Sequence, residues 1–335
     1  MRRALFYLSE PGWIQCELCA HRCRIKEGMR GLCGVRENRG GELYSLVYGK
    51  LVAESVDPIE KKPLFHVLPG SLSYSIATRG CNFRCLHCQN ASISQVGERD
   101  DPARLCVDRR PEQVVAAAVE AGCRTISYTY VEPTVFFEFA YDCCTLAAAE
   151  NIGNIFVSNG YLSEQATRLL APLLTAINID LKSFRDALYR SVCGARLQPV
   201  LDTIRRMHEL GVWVEVTTLL IPGRNDSAEE LLDIANFLAA IDSCLPWHVT
   251  AFHPAHYLSD IAPTPLSSLE RAREIGLAAG LRHIYLGNVD ASGAENTFCP
   301  GCGSEVIKRR GFTVLTNRLA GGACPVCATT VAGVW

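Results

Sequence analysis

A chain of 335 residues with 48% apolar and 20% charged side chains carries enough apolar material for a substantial core, which excludes a disordered protein. Its net charge of −2 supplies no general attraction to nucleic acid or to an anionic membrane, and no apolar run approaches the ~20 residues that span a bilayer. The opening Met1-Arg2-Arg3-Ala4-Leu5-Phe6-Tyr7-Leu8 is too short an apolar stretch for a signal-peptide core, so the expected compartment is the cytoplasm.

Seventeen cysteines are the outlying number. An odd total in a reducing compartment argues against a disulfide framework, and clustered thiols there point to metal. Eleven fall into three groups along the chain. The other six (Cys106, Cys123, Cys143, Cys144, Cys193 and Cys244) are expected to be small buried apolar residues.

Residues 1–73 lack the rhythm of a large fold and form the first expected domain. Cys16, Cys19, Cys23 and Cys33 supply four thiols, with Gly28, Gly31 and Gly34 between or beside them to allow tight turns. A metal would hold together a stretch whose apolar residues are too few to do so. It is either zinc or an iron–sulfur cluster, and short glycine-rich loops favour zinc. The alternation in Gly41-Glu42-Leu43-Tyr44-Ser45-Leu46-Val47-Tyr48 predicts a strand, and the stretches 57–63 and 69–71 read as connecting loop.

From 74 to 290 the pattern becomes regular. Strand-like runs at 74–78, 124–130, 154–158, 176–181, 212–220 and 247–252 alternate with helix-like segments near 111–122, 134–150, 163–171, 197–210, 227–241 and 267–280, and a last short strand follows at 282–286. The strands are almost continuously apolar, as parallel strands covered on both faces are. Ser163 and Ser227 stand at N-cap positions, and Gly122, Gly153, Gly211 and Gly280 stand where helices must stop. The fold class is therefore α/β, a partial (β/α)6 barrel of the TIM type. No Gly-x-Gly-x-x-Gly follows a strand, which disfavours a dinucleotide-binding fold.

In such barrels chemistry sits at the C-terminal strand ends. The first strand runs into Cys81-Asn82-Phe83-Arg84-Cys85-Leu86-His87-Cys88, three thiols within eight residues. Three is one short of the four that close a structural zinc or iron–sulfur site. A cluster held by three thiolates keeps one iron open for a ligand; the alternative is a zinc knuckle completed by His87 or a distant cysteine. The later strand ends carry Glu132, Asn159, Asp180 with Lys182, and His253, so polar groups gather along one rim.

The last segment, 291–335, returns to metal. Cys299-Pro300-Gly301-Cys302 and Cys324-Pro325-Val326-Cys327 flank a predicted hairpin, a zinc-ribbon or rubredoxin-like pattern for four thiolates around zinc or iron.

Taken together, the Cys-x3-Cys-x2-Cys loop after the first barrel strand, with His87 before its last cysteine, resembles the signature of radical S-adenosylmethionine enzymes. Cys88-Gln89-Asn90, Tyr128-Thr129-Tyr130-Val131-Glu132-Pro133-Thr134, Asp180-Leu181-Lys182 and Ile221-Pro222-Gly223-Arg224-Asn225-Asp226 resemble the branch of pyruvate formate-lyase activating enzyme. Over nearly its whole length, including the N-terminal cysteines, Asp57-Pro58-Ile59-Glu60-Lys61-Lys62-Pro63-Leu64 and the terminal ribbon, the chain resembles the radical enzyme of the AmmeMemoRadiSam system.

That resemblance implies a 4Fe–4S cluster on Cys81, Cys85 and Cys88, with S-adenosylmethionine on the open iron. It implies cleavage to methionine and a 5′-deoxyadenosyl radical that takes hydrogen from a substrate. Glu132 stands where relatives bind the methionine amino group, with Tyr130-Val131 in place of their two glycines. Asn159, Asp180, Lys182, His253 and His87 are the further cofactor-binding candidates. The implied partners are an external electron donor, flavodoxin or ferredoxin, and companion proteins of the Memo and Amme kinds. Neither a membrane nor a nucleic acid is expected. Two other readings stand beside it, a glycyl-radical enzyme activase and a multi-zinc binding scaffold.

Overall fold

The computed structural model describes residues 1–291 and 293–335. Its centre is one eight-stranded sheet whose strands lie in chain order. We number them β1 (Ala53–Pro58), β2 (Leu72–Ala77), β3 (Thr125–Tyr128), β4 (Gly153–Ser158), β5 (Ala176–Asp180), β6 (Trp213–Leu220), β7 (Trp247–Ala251) and β8 (Ile284–Gly287). The seven strands from β2 to β8 are parallel, and β1 pairs antiparallel with β2, Asp57 standing opposite Ser73. The sheet has two edges, β1 and β8, so the barrel is partial.

The crossovers are α1 (Pro111–Glu120), α2 (Phe137–Ala149), α3 (Glu164–Leu170), α4 (Gln198–Glu209), α5 (Ala228–Ile241) and α6 (Leu266–Ala278). Their starts and stops follow local chemistry. Ser163 accepts from the Ala166 N–H and Ser227 from the Glu230 N–H, capping α3 and α5. In α4 the residues Val200, Leu201, Ile204 and Met207 are buried, the three-and-four spacing of one helix face turned to the sheet. After α4 the chain turns at Gly211 with φ +80°, a conformation open to glycine and costly for other residues.

Two departures from the sequence-based expectation matter for function. The helix expected over 134–150 begins as a 3₁₀ turn, Pro133–Phe136, before α2, and the Glu132 side chain caps it at the Thr134 N–H. The sheet also begins well before residue 74. Ala53–Pro58 is a half-exposed edge strand without an apolar run, so periodicity does not reveal it. The connection from β1 to β2 then folds under the barrel as its floor. There the backbone N–H groups of Phe65 and His66 donate to the buried carboxylate of Glu215 on β6, at 3.0 and 2.8 Å. The expected boundary at 73 thus falls inside the sheet.

The N-terminal segment forms two small antiparallel sheets, Tyr7–Glu10 with Trp13–Cys16 and Arg24–Lys26, and Arg2–Arg3 with Glu42–Ser45 and Arg36–Arg39. It is fastened to the barrel by Arg36, whose guanidinium reaches both Glu138 oxygens of α2 at 2.9 and 3.0 Å. At the other end the ribbon hairpin, Glu305–Arg310 with Thr313–Asn317, packs against the floor. Buried Arg309 donates to the Phe65 carbonyl at 2.6 Å, and Val334 pairs with Val67. Among the described residues no helix is long and apolar enough to cross a membrane.

Candidate cluster and cofactor site

The loop after β2 is shaped by its neighbours before any ligand is considered. Gly80 has φ +99°, and a Cβ there would meet Val35 Cγ1 at 2.6 Å and the Cys33 carbonyl at 2.9 Å, so only glycine lets the loop close on the N-terminal segment. The Arg84 N–H donates to the Cys193 carbonyl at 2.8 Å and the Leu86 N–H to the Val192 carbonyl at 2.9 Å. Phe83 is fully buried against Tyr161 and Tyr189. The loop is thereby held on both sides, and Cys81, Cys85 and Cys88 face one cavity of about 610 Å³ at the head of the barrel.

Donors converge on these sulfurs. The Phe83 N–H lies 3.4 Å and the Asn159 Nδ2 3.5 Å from Cys81 Sγ, and the Ser94 hydroxyl lies 3.2 Å from Cys88 Sγ. Burial pushes the Cys81 thiol up to about 12, with nearby Glu132 adding to it, so a thiolate there needs a cation beside it. The three sulfurs of this set do not all lie within 4.8 Å of one another. A donor set of three thiolates with N–H and O–H groups aimed at them, not gathered within 4.8 Å of one another, fits an iron–sulfur cluster.

Four of the six rim candidates, Glu132, Asn159, Asp180 and Lys182, line the cavity, but not all are free. Glu132 is buried, and both its oxygens are taken: by the Thr134 N–H at 3.1 Å and its hydroxyl, the Ser158 hydroxyl at 2.9 Å and the Asn159 N–H at 2.6 Å. Burial still raises its pKa. It ties the end of β3 to the end of β4. Asn159 spans Cys81 and the Asn82 Oδ1, the latter at 3.1 Å. Lys182 Nζ sits 2.7 Å from Asp180; although burial opposes it, this pairing raises its pKa well above the usual value, with Cys85 helping. An ammonium ion is thereby fixed beside the cluster loop.

His87 is the fifth candidate in the cavity wall. Burial lowers its pKa to about 3, and its Nδ1 has no partner among the described residues, so it offers a neutral imidazole. His253 differs from the expectation: it is exposed, lies outside the cavity wall and reaches the Asn288 carbonyl at 3.3 Å.

Three features were not foreseen from the sequence. Cys193, buried as expected, also stands against the Cys85 thiol, which donates to its sulfur. The Asp57 carboxylate takes bonds from Lys61 at 2.7 Å, Lys62 at 2.6 Å, Ser75 at 2.8 Å and the Tyr130 hydroxyl, which gives the Asp57–Leu64 stretch a physical purpose in shaping one cavity wall. The floor itself is aromatic and polar: Phe65, His248 and Tyr285 close it, with Glu215 2.6 Å from His248 Nε2. The charged pairs of Asp57-x3-Lys61-Lys62 carried the only hint in the sequence.

The ribbon cysteines meet tightly. Cys299, Cys302, Cys324 and Cys327 have all four sulfurs within 4.8 Å of one another, with Cys299 to Cys327 at 3.5 Å and Cys302 to Cys324 at 3.8 Å. Zinc–sulfur bonds of ~2.3 Å in a tetrahedron set sulfurs about 3.8 Å apart. The Gly301 and Val326 N–H groups each donate to a ligand sulfur at 3.4 Å, as turns around a single ion do. The other four-cysteine group does not close in this way.

Residues 75–238 match the model of the radical SAM superfamily. The chain is 42% identical to the uncharacterized protein MJ0808 of Methanocaldococcus jannaschii over 335 residues, covering 99% of each. It is 22% identical to the pyruvate formate-lyase-activating enzyme of Staphylococcus epidermidis, over 64% of this chain and 89% of that one. The crystal structure of Streptococcus suis SuiB bound to S-adenosylmethionine shares the fold with TM-score 0.51 at 13% identity, over 72% of this chain and 56% of SuiB.

Proposed function

This chain belongs to the radical S-adenosylmethionine superfamily, and from that premise we propose that it is a cytoplasmic radical enzyme of the AmmeMemoRadiSam type. The observation that carries the proposal is the three-thiol loop at the head of the barrel, its sulfurs met by protein donors and facing one cavity. Cys81, Cys85 and Cys88 would hold a 4Fe–4S cluster, which would supply the electron for reductive cleavage of S-adenosylmethionine to methionine and a hydrogen-abstracting 5′-deoxyadenosyl radical.

The chain's own residues bind, orient and shield. Lys182, steadied by Asp180, presents a positive charge suited to a carboxylate. Asn159 donates to the Cys81 sulfur, and Glu132 holds Asn159 in place through its backbone. Phe65, His248 and Tyr285 keep water from the floor. The electron comes from an external flavodoxin or ferredoxin, and proteins of the Memo and Amme kinds act with the enzyme.

A second reading, a glycyl-radical enzyme activase, is favoured by the resemblance to the Staphylococcus enzyme. It predicts hydrogen abstraction from a glycine of a partner protein, read as a stable glycyl radical by EPR. The class is tested by anaerobic reconstitution, reduction with dithionite and addition of S-adenosylmethionine. 5′-Deoxyadenosine is expected from the wild type and none from Cys85→Ala; undiminished product from the variant removes the proposed site.

A further inference from the structure

The N-terminal cysteines enclose a second hollow, separate from the barrel cavity. Cys16, Cys19, Cys23 and Cys33 all line it, and apolar side chains such as Leu18, Ile25 and Val135 complete the wall. Cys16 and Cys33 are buried, and Cys19 and Cys23 are partly so. The four sulfurs converge without meeting. No three of these described sulfurs lie within 4.8 Å of one another, whereas the four ribbon sulfurs do.

A single zinc ion would have to draw these sulfurs closer together than they stand. Bonds of ~2.3 Å require thiolates about 3.8 Å apart, which is how the ribbon stands. A cluster of four irons and four sulfides puts its own atoms between the thiolates and holds them wider. Cys81, Cys85 and Cys88 likewise do not all lie within 4.8 Å of one another.

Two orphaned donors point the same way. Arg36 Nε and Asn82 Nδ2 are buried without a hydrogen-bond partner among the described residues, in side chains belonging to residues 2% and 3% exposed, and both residues line this hollow. A buried N–H left unpaired is costly, so its persistence calls for an acceptor. In a single-ion site the only acceptors are the four thiolates. Sulfides of a cluster would add acceptors inside the hollow itself. The backbone N–H groups of His21, Leu32 and Val35 already face Cys19, Cys23 and Cys33.

We infer that Cys16, Cys19, Cys23 and Cys33 hold a second 4Fe–4S cluster, fully ligated by thiolates. The site shares a wall with the first. Asn82, between Cys81 and Phe83 of the catalytic loop, lines this hollow, and its carbonyl is 2.7 Å from His21 Nε2, in the midst of the N-terminal cysteines.

The inference does not depend on cleavage of S-adenosylmethionine, and the two are separable by experiment. The full-length protein is reconstituted anaerobically with iron and sulfide, and iron, acid-labile sulfide and zinc are counted per chain. The wild type is expected to hold about eight sulfides, two clusters of four; about four sulfides with zinc at the N-terminal site overturns the inference. Replacing Cys81, Cys85 and Cys88 by Ala should halve the sulfide and leave a reduced-state EPR signal that S-adenosylmethionine does not alter. Loss of all sulfide from that variant, with its circular dichroism intact, overturns the inference even if the wild type makes 5′-deoxyadenosine. Should the variant fail to fold, the wild-type sulfide count decides alone. A sulfide-retaining variant beside an inactive wild type would reject the proposed function and leave the second cluster standing.

Discussion

Replacing Glu215 by Gln tests whether the barrel floor is held by one buried charge. The carboxylate is completely buried and accepts from Phe65 N–H at 3.0 Å, His66 N–H at 2.8 Å and Trp213 Nε1 at 3.0 Å, with His248 Nε2 at 2.6 Å. Burial alone would raise its pKa. The hydrogen bond and charge of His248, with help from the Phe65 N–H, instead pull it from 4.5 down to about 2. A depression of that size is worth about 3 kcal/mol at neutral pH. Because the folded value is the lower one, this stability is complete above about pH 4.5 and disappears as pH falls towards 2. The amide introduced by Glu215→Gln would keep one oxygen and turn an NH₂ group towards donors. At ~2.1 cal/mol/K per residue, about 3 kcal/mol lowers Tm by about 4 °C in a chain of 335 residues. Calorimetry of the reconstituted wild type and Glu215→Gln at pH 7 and pH 5 should show the same gap at both. A gap below about 1 °C, or one that halves between these pH values, would refute the reasoning.

The other predictions concern the metal and cofactor sites. Lys182→Met should weaken S-adenosylmethionine binding to the reconstituted protein roughly 10- to 100-fold, the worth of one charged hydrogen bond; equal affinity by equilibrium dialysis would remove Lys182 from the site. Asn159→Ala should leave the iron content intact and make the catalytic cluster harder to reduce by about 40 mV, one neutral hydrogen bond for one electron. An EPR-monitored redox titration with an unmoved midpoint contradicts that role. Cys302→Ser should cost the chain one metal ion by elemental analysis without lowering the sulfide count, because the ribbon sulfurs stand close enough for a single ion; lost sulfide would show that the ribbon holds a cluster instead.

Much of this protein is legible in its sequence because its determinants are local. Apolar runs such as Ala176-Ile177-Asn178-Ile179 become central strands, and Ser163 and Ser227 cap helices through their own side chains. The three-thiol loop needs no distant residue to announce it. Local pattern gives less at β1, whose polar edge strand takes its place from pairing with β2, and at His253, which shares the rim positions in sequence but turns to solvent in space.

Spacing along the chain determined how many thiols each cysteine group offers: three at the barrel, four in the ribbon and four at the N-terminus. It left the N-terminal metal open between zinc and an iron–sulfur cluster, since short loops accommodate either. Tertiary structure decided how far apart the sulfurs stand and which buried donors are left wanting an acceptor. Those distances are set by what packs around each loop: Glu138 gripping Arg36, Val35 filling the space beside Gly80, and Cys193 seated on Cys85. Each partner comes from a distant part of the chain, so no local pattern carries that information.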